Sequence, residues 1–342
     1  MRIALHRIAD RCARLNLRFG ALASLAALAL GLVATSALAQ GYPNKSIRII
    51  VPFPAGGTTD IVARLLAQRM SESIGQSVVV ENRGGAGGSL GADAVAKAPP
   101  DGYTILMHNI TFPMASVSLA LAGRAPYNIE TDFAAISNVV NVPLVMTAHP
   151  SVPAKDLREF VALLSNNRSL QYNYGSTGPG SFMNVVGEAL KRETRIEMTH
   201  IPFKGAAPLK LELLAGRVQL GGDQISSSLG EIRKGSLKAL ATNASTRIAA
   251  LPDVPTVREL GFPAIEANGW NGLFAPARTP REVIDRLQKE VAAALRHPEL
   301  AKRLSDLAAE PVGSNPADLD AMLRGQIAQF RPILTELKAN VE

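Results

Sequence analysis

Two glycine-rich segments carry the residues best suited to hold a ligand. Pro52-Phe53-Pro54-Ala55-Gly56-Gly57-Thr58-Thr59-Asp60 follows an apolar, β-branched run from Ile47 to Phe53 and places two glycines and two hydroxyls where a helix begins. Unpaired N–H groups at a helix start, together with the helix dipole, attract anions, and glycine lets a ligand come close to the backbone. Gly175-Ser176-Thr177-Gly178-Pro179-Gly180-Ser181, after a strand expected from Leu170 to Tyr174, repeats the arrangement. Neither loop has the lysine and spacing of a P-loop, so the pair suits a small carboxylate better than a nucleotide. Either loop alone reads equally well as a tight turn, and it is their pairing that favours an anion site.

Other candidates stand between a functional and a plain reading. Asp60 fits a helix-start residue favoured by the dipole better than a ligand contact. Lys204 follows Phe203 at a strand end, within reach of a carboxylate in one reading and merely solvated in the other. Asp223, after Gly221-Gly222, is either an acceptor for a ligand hydroxyl or amino group or a turn cap. Asn109, with His108 and Thr111, ends a strand and faces the same choice between lining a cleft and structural duty. Trp270, beside Gly269 and Gly272, walls a cleft or sits in the core.

Signals of catalysis are poor. Gly87-Gly88-Ser89-Leu90-Gly91 matches G-x-S-x-G, which keeps a secreted serine hydrolase using Ser89 as an alternative, but an esterase serine sits on a sharp turn directly after a strand. His108, His149, His200 and His297 lack metal-binding spacing, and no GxGxxG occurs, so no metal and no cofactor are expected.

The elements that must position these loops alternate. Apolar residues at Ile61, Val62, Leu65, Leu66 and Met70 recur at helical spacing, and Gly75 closes that helix. Strands are expected at Ser77–Val80 and Tyr103–Met107, with a short helix between them through Ala92 and Ala96. A second copy of the rhythm has strands at Leu170–Tyr174, Ile196–Pro202 and Val218–Leu220, with helices at Met183–Leu190 and Leu209–Leu214. Such alternation points to parallel sheets covered by helices. Ile136–Thr147 reads as one extended stretch between the copies, Leu237–Thr242 and Trp270–Ala275 as strands that cross back, and Pro280–Leu295 and Asp318–Leu337 as helices.

The expected fold is therefore α/β and two-lobed, with a hinge of two crossing strands. One lobe takes residues 40–141 and 268–342, and the other takes 142–267. In such sheets ligands bind beyond the carboxyl ends of the strands, where both glycine loops fall.

Length and charge agree. The 342 residues exceed one ordinary domain of roughly 100–200 residues. An apolar share of 47% against 19% charged excludes a disordered chain. The +7 net charge invites a nucleic-acid reading, yet five arginines and one aspartate lie before residue 40, and without them the net is +3. That head, the apolar segment from Phe19 to Val33 and Ala37-Leu38-Ala39 form an export signal cleaved after Ala39, with a retained anchor as the competing reading. Cys12, the single cysteine, lies within it, so the exported chain has no thiol chemistry. The basic residues do not cluster with aromatics, and no nucleic-acid role is expected.

Long ordered segments carry a resemblance: IRIIVPFPAGGTTDIVARLLA from Ile47, VVVENRGGAGGSLGADAVAKAPPDGYTILM from Val78, IPFKGAAPLKLELLAGRVQL from Ile201, LKALATNASTRIAALPDVPTVRELGFP from Leu237 and GLFAPARTP from Gly272. At these residues the chain resembles the periplasmic solute-binding receptors of tripartite tricarboxylate transporters, the Bug or TctC-like family. The resemblance implies a venus-flytrap (type II) fold, a non-catalytic monomer that closes on a small carboxylate (a di- or tricarboxylate, an aromatic carboxylate or an acidic amino acid) and delivers it to a membrane permease. A receptor that docks on a membrane sensor kinase is the other role the fold serves. By the same resemblance Phe53, Ala55, Gly56, Gly57 and Thr58 grip a ligand carboxylate, and Ser176, Thr177, Gly178, Gly180 and Ser181 face them. It also implies ligand-dependent variation at Asp223. Where the family often has three glycines, Thr58 here follows two.

Overall fold

Two sheets divide the chain, and the chain crosses between them twice. The computed structural model describes residues 41–337, and Lys45 onward belongs to one unit that contains both sheets. The export segment expected at residues 1–39, with Cys12 and the Ala39 cleavage point, lies outside the described residues.

The first sheet holds β1 (Ile47–Val51), β2 (Val78–Asn82), β3 (Thr104–Asn109), β4 (Phe133–Asn141), β10 (Trp270–Pro276) and β11 (Glu310–Pro311), in the order β11-β4-β10-β3-β1-β2. The second holds β5 (Leu144–Ala148), β6 (Tyr172–Ser176), β7 (Met198–Pro202), β8 (Leu220–Gln224) and β9 (Lys238–Thr242), in the order β7-β6-β8-β5-β9. In each sheet the first strand of the repeat pairs in parallel with the next two, β1 with β2 and β3, β6 with β7 and β8. Each then accepts one antiparallel strand that has just crossed from the other half, β10 beside β3 and β5 beside β8. The sheets are mixed rather than purely parallel because the crossing strands enter running the opposite way.

The crossings explain a second difference. Ile136–Thr147, expected as one strand, breaks at Val142-Pro143 into β4 and β5, which lie in different sheets. The two connections pair with each other: Val142 N–H donates to the Gly269 carbonyl at 2.9 Å, Ala267 to Asn243 at 2.8 Å, and Asn243 to Leu144 at 3.1 Å. This is the hinge of two crossing segments.

Among the described residues ten α-helices cover the sheets: α1 (Thr58–Ile74), α2 (Ser89–Ala96), α3 (Thr111–Leu121), α4 (Leu157–Asn166), α5 (Phe182–Thr194), α6 (Ala206–Leu214), α7 (Leu229–Arg233), α8 (Arg281–Leu295), α9 (Pro298–Asp306) and α10 (Pro316–Leu337). Helix α1 shows why they form where they do. Gly56, at φ +89°, turns the chain out of β1 through a region that disfavours side chains. Val62, Ala63, Leu66 and Met70 bury one stripe, and Gly75, left-handed at φ 72°, returns its N–H to the Ser71 carbonyl. Helix α3 is buried nearly all round, with Phe112, Met114 and Val117 inside the core. Helix α10 packs on α3 and β4 and also touches α5.

Two strands lie further along than expected. β6 runs to Ser176 and β8 to Gln224, so Ser176 and Asp223 are strand residues and the loops begin after them.

Candidate functional site

The anion loop after β1 is held from beneath by a carboxylate. Asp60, 3% exposed in the first turn of α1, accepts the Gly56 N–H at 3.0 Å, the Asn82 amide at 2.9 Å and the Arg64 guanidinium at 3.0 Å. Burial alone raises this carboxyl, but Arg64, the Gly56 amide and Asn82 together hold it below the ordinary aspartate value. One of the amides expected to meet a ligand, that of Gly56, is thereby committed internally, whereas Thr58 and Thr59, as the first helical residues, have no intrahelical acceptor.

The loop after β6 is built on the same plan. The Asn184 side chain accepts the Gly180 N–H at 2.9 Å, four residues back, as Asp60 does for Gly56. Ser176 Oγ lies 2.7 Å from His200 Nε2 and also engages the Gly178 backbone, so this buried hydroxyl shapes the loop. Burial lowers the His200 pKa, with Glu188 opposing. Ser181 Oγ is buried without a hydrogen-bond partner among the described residues.

Between the loops lie two adjoining voids. One is lined by Phe53, Gly57, Thr58, Thr59 and Ala206. The other is lined chiefly by Ile110, Leu144, Phe182, Met183 and Gln224. Asn109, Thr177 and Asp223 line both and form the neck between them. The first residues of α1, α3, α5 and α6 all border this space, so four helix N-termini bring positive dipole ends to it. Among the described residues no lysine, arginine or histidine lines either void, and Asp223 is the only ionisable lining group.

Asp223 keeps part of its surface toward the void, yet desolvation pushes its carboxyl up to about 6, partly offset by the Gln224 amide, the Ser227 hydroxyl at 3.2 Å and the nearby Lys210 ammonium. Asn109 supports the neck by donating to Thr59 Oγ1 at 3.0 Å and accepting the Thr111 N–H at 3.0 Å. His108 lies below, fully buried, stacked on Phe112 at 4.6 Å and edge-on to Phe53 at 5.2 Å. Desolvation drives its pKa down to about 3, so it is a neutral structural ring, and its Nδ1 accepts the Asn109 N–H.

Of the residues singled out in the sequence, Phe53, Gly57, Thr58, Asn109, Thr177 and Asp223 meet at the voids. Ala55, Gly56, Ser176, Gly178, Gly180 and Ser181 do not line them but build the two loops, and Lys204 is exposed and lines neither void. Trp270 does not wall the cleft. It is buried in the core, and its indole N–H donates to Gln326 at 2.8 Å. Ser89 is buried and its hydroxyl donates to the Ala86 carbonyl, which is a helix-start role. Ala206, Phe182, Met183 and Gln224 are not singled out by the sequence reading. Ala206 and Phe182 carry a partial signal as helix starts following glycine and serine, and Gln224, at a strand end after Asp223, carries none.

The halves touch around the voids. Thr58 Oγ1 donates to the Gln224 carbonyl at 3.1 Å, and Gly87 approaches so near that a Cβ there would sit 2.7 Å from the Pro179 carbonyl oxygen.

The family model described as tripartite tricarboxylate transporter family receptor matches residues 62–339. The protein BugT of Bordetella pertussis is 34% identical over 310 residues, covering 91% of this chain and 94% of its own. The solved structure of the periplasmic binding protein BugD superposes with a TM-score of 0.81 at 34% identity, covering 87% of this chain and 99% of that one. MatC of Rhodopseudomonas palustris, solved with bound malate, gives a TM-score of 0.80 at 33% identity, covering 86% of this chain and all of that one.

Proposed function

The chain belongs to the tripartite tricarboxylate transporter receptor family, and from that premise we propose that it captures a small carboxylate between its two lobes and delivers it to the membrane permease of such a transporter. The family is one of solute-binding receptors and not of enzymes, and its periplasmic members with solved structures share this two-lobed fold. The observation that carries the reading is the convergence of four helix N-termini on one pair of voids between the lobes. A carboxylate there meets backbone N–H groups whose helical partners do not exist, and its charge is matched by dipoles rather than by a salt bridge. MatC, which shares this fold, holds malate, a small carboxylate of the kind such a space suits.

In this reading residues 1–39 direct export and are removed after Ala39, and the product is a periplasmic monomer. Residues 40–141 and 268–342 form one lobe and 142–267 the other, each organised around one sheet. Among the described residues no helix is long and apolar enough to cross a membrane.

Isothermal titration of the purified exported protein with mono-, di- and tricarboxylates tests the proposal. Saturable binding of at least one is expected, with compaction seen by small-angle scattering when it is added. Binding to none of them overturns it.

A further inference from the structure

The voids differ in chemistry, and the neck between them carries one negative charge. This inference rests on the carboxylate-receptor reading above and names the kind of carboxylate. The void under α1 and α6 offers helix-start backbone and the hydroxyls of Thr58 and Thr59. The void under α3 and α5 is walled by Ile110, Leu144, Phe182 and Met183. Of the polar side chains beside that second void, Asn109 and Gln224 are already committed: Asn109 spans Thr59 and the Thr111 amide, while the Gln224 amide group donates to the Trp270 carbonyl at 3.1 Å and accepts from Asn271 at 3.0 Å. Thr111 and Thr177 add hydroxyl side chains to the lining. A ligand group set against Ile110, Leu144, Phe182 and Met183 gains by being apolar.

Asp223 lies at the neck, common to both voids. Its nearest cation, Lys210, stands outside the lining, donates to the Ser227 carbonyl at 2.8 Å and lies 3.6 Å from Glu231. A second ligand carboxylate at the neck would meet a like charge, and no cation among the lining residues balances it. A donor at the neck would instead find an acceptor that already receives the Ser227 hydroxyl and has capacity for more.

We propose that the ligand is a monocarboxylate with a hydrogen-bond donor adjacent to the carboxylate and an otherwise apolar body, and that Asp223 is the residue that reads the donor. The carboxylate lies against the starts of α1 and α6, the donor faces Asp223, and the body fills the void walled by Phe182 and Met183. An ammonium is the strongest donor because it pairs with an anion, and a hydroxyl serves less well. Citrate and other tricarboxylates are rejected.

Calorimetry at neutral pH with leucine, 2-hydroxy-4-methylpentanoate, 4-methylpentanoate, succinate and citrate tests this directly. Leucine is expected to bind tightest and the hydroxy acid next. The unsubstituted 4-methylpentanoate should bind about tenfold weaker than leucine or worse, the size of effect that one charge-assisted hydrogen bond gives. In Asp223→Asn the leucine preference over 4-methylpentanoate should shrink to about threefold or less, because an amide is a poorer partner for an ammonium. The wild-type comparison stands whether or not the variant folds. Equal binding of leucine and 4-methylpentanoate, or an unchanged preference in a folded Asp223→Asn, overturns the proposal. Tightest binding of succinate or citrate also overturns it while leaving the carboxylate-receptor reading intact. Binding of none of the five, when another carboxylate does bind, overturns the ligand class alone, and silence toward every carboxylate removes the reading beneath it.

Discussion

Asp223 lines the neck and His108 lies buried beside it, next to Asn109, and the two titrate in opposite senses. Burial keeps His108 neutral down to about pH 3, whereas an unfolded histidine takes a proton near 6.5. Between those values the unfolded chain binds a proton that the folded chain refuses, so this residue makes stability fall as the solution is acidified. Asp223, raised from 3.8 to about 6, does the reverse: the folded form binds the extra proton, and its contribution is lost as pH rises through 6. The histidine shift is the larger, and a full shift of that size is worth at most about 4–5 kcal/mol. The ligand-free protein should therefore lose stability from pH 7 to pH 4, measured as the urea midpoint. Replacing His108→Gln should flatten that loss, and Asp223→Asn should steepen it. A wild-type midpoint that does not fall on acidification would contradict the buried, neutral histidine.

At the scale of elements, the loops are made by the helices that follow them. Asp60 and Asn184 each reach back four residues to hold a glycine N–H, so the first turns of α1 and α5 fix the two loops proposed to meet the ligand. Replacing Asp60→Ala strands the Gly56 amide and takes the shared acceptor from Asn82 and the half-exposed Arg64, which keep the Phe53 carbonyl and each other, and should cost about 2–3 kcal/mol of unfolding free energy. Asn184→Ala, which leaves neutral groups unpaired, should cost only about 1–2 kcal/mol. Denaturant titration of both orders them, and equal losses would mean that Asp60 is not the charged anchor. Much of this level was legible in the sequence. The β–loop–α repeats, the two glycine loops and the crossing strands follow from apolar periodicity and glycine position. Helix α3 did not show, because a segment buried nearly all round has no polar face and hence no 3.6-residue period to detect. The β4–β5 break had one mark, Pro143, which cannot donate to a strand ladder, but burial of both faces on either side of it hid that the two halves join different sheets. The neck was half legible. Asp223, Asn109 and the Thr59 hydroxyl were visible at strand and helix ends, while Gln224 became a site residue only when the two halves met.

The whole molecule works by that meeting. The lobes touch through backbone so closely at Gly87 and Pro179 that no side chain fits between them, and the crossing segments that join them are themselves hydrogen-bonded. In the proposed receptor such an arrangement would move as two bodies about a hinge, and each contact made only when the lobes are together would add to the closed population. Thr58 Oγ1 to the Gln224 carbonyl is one such contact, a buried neutral hydrogen bond 166 residues apart in sequence. In the proposed reading the hydroxyl at Thr58 acts on closure as well as on the ligand. Thr58→Val keeps the size and β-branching of the side chain and removes only the donor, leaving the Gln224 carbonyl unpaired when the lobes close. A single neutral bond of about 0.5–1.5 kcal/mol shifts the closed-to-open ratio by roughly two- to tenfold. Ligand affinity should drop by a similar factor, with the loss in the dissociation rate because the closed complex is the state that has lost its bond. The melting temperature of the ligand-free protein should change little if the lobes are mostly apart without ligand. Small-angle scattering supplies the reference, since the variant and the wild type should then share one radius of gyration when empty. A variant that binds its carboxylate with wild-type affinity and dissociation rate would show that this contact does not hold the lobes together.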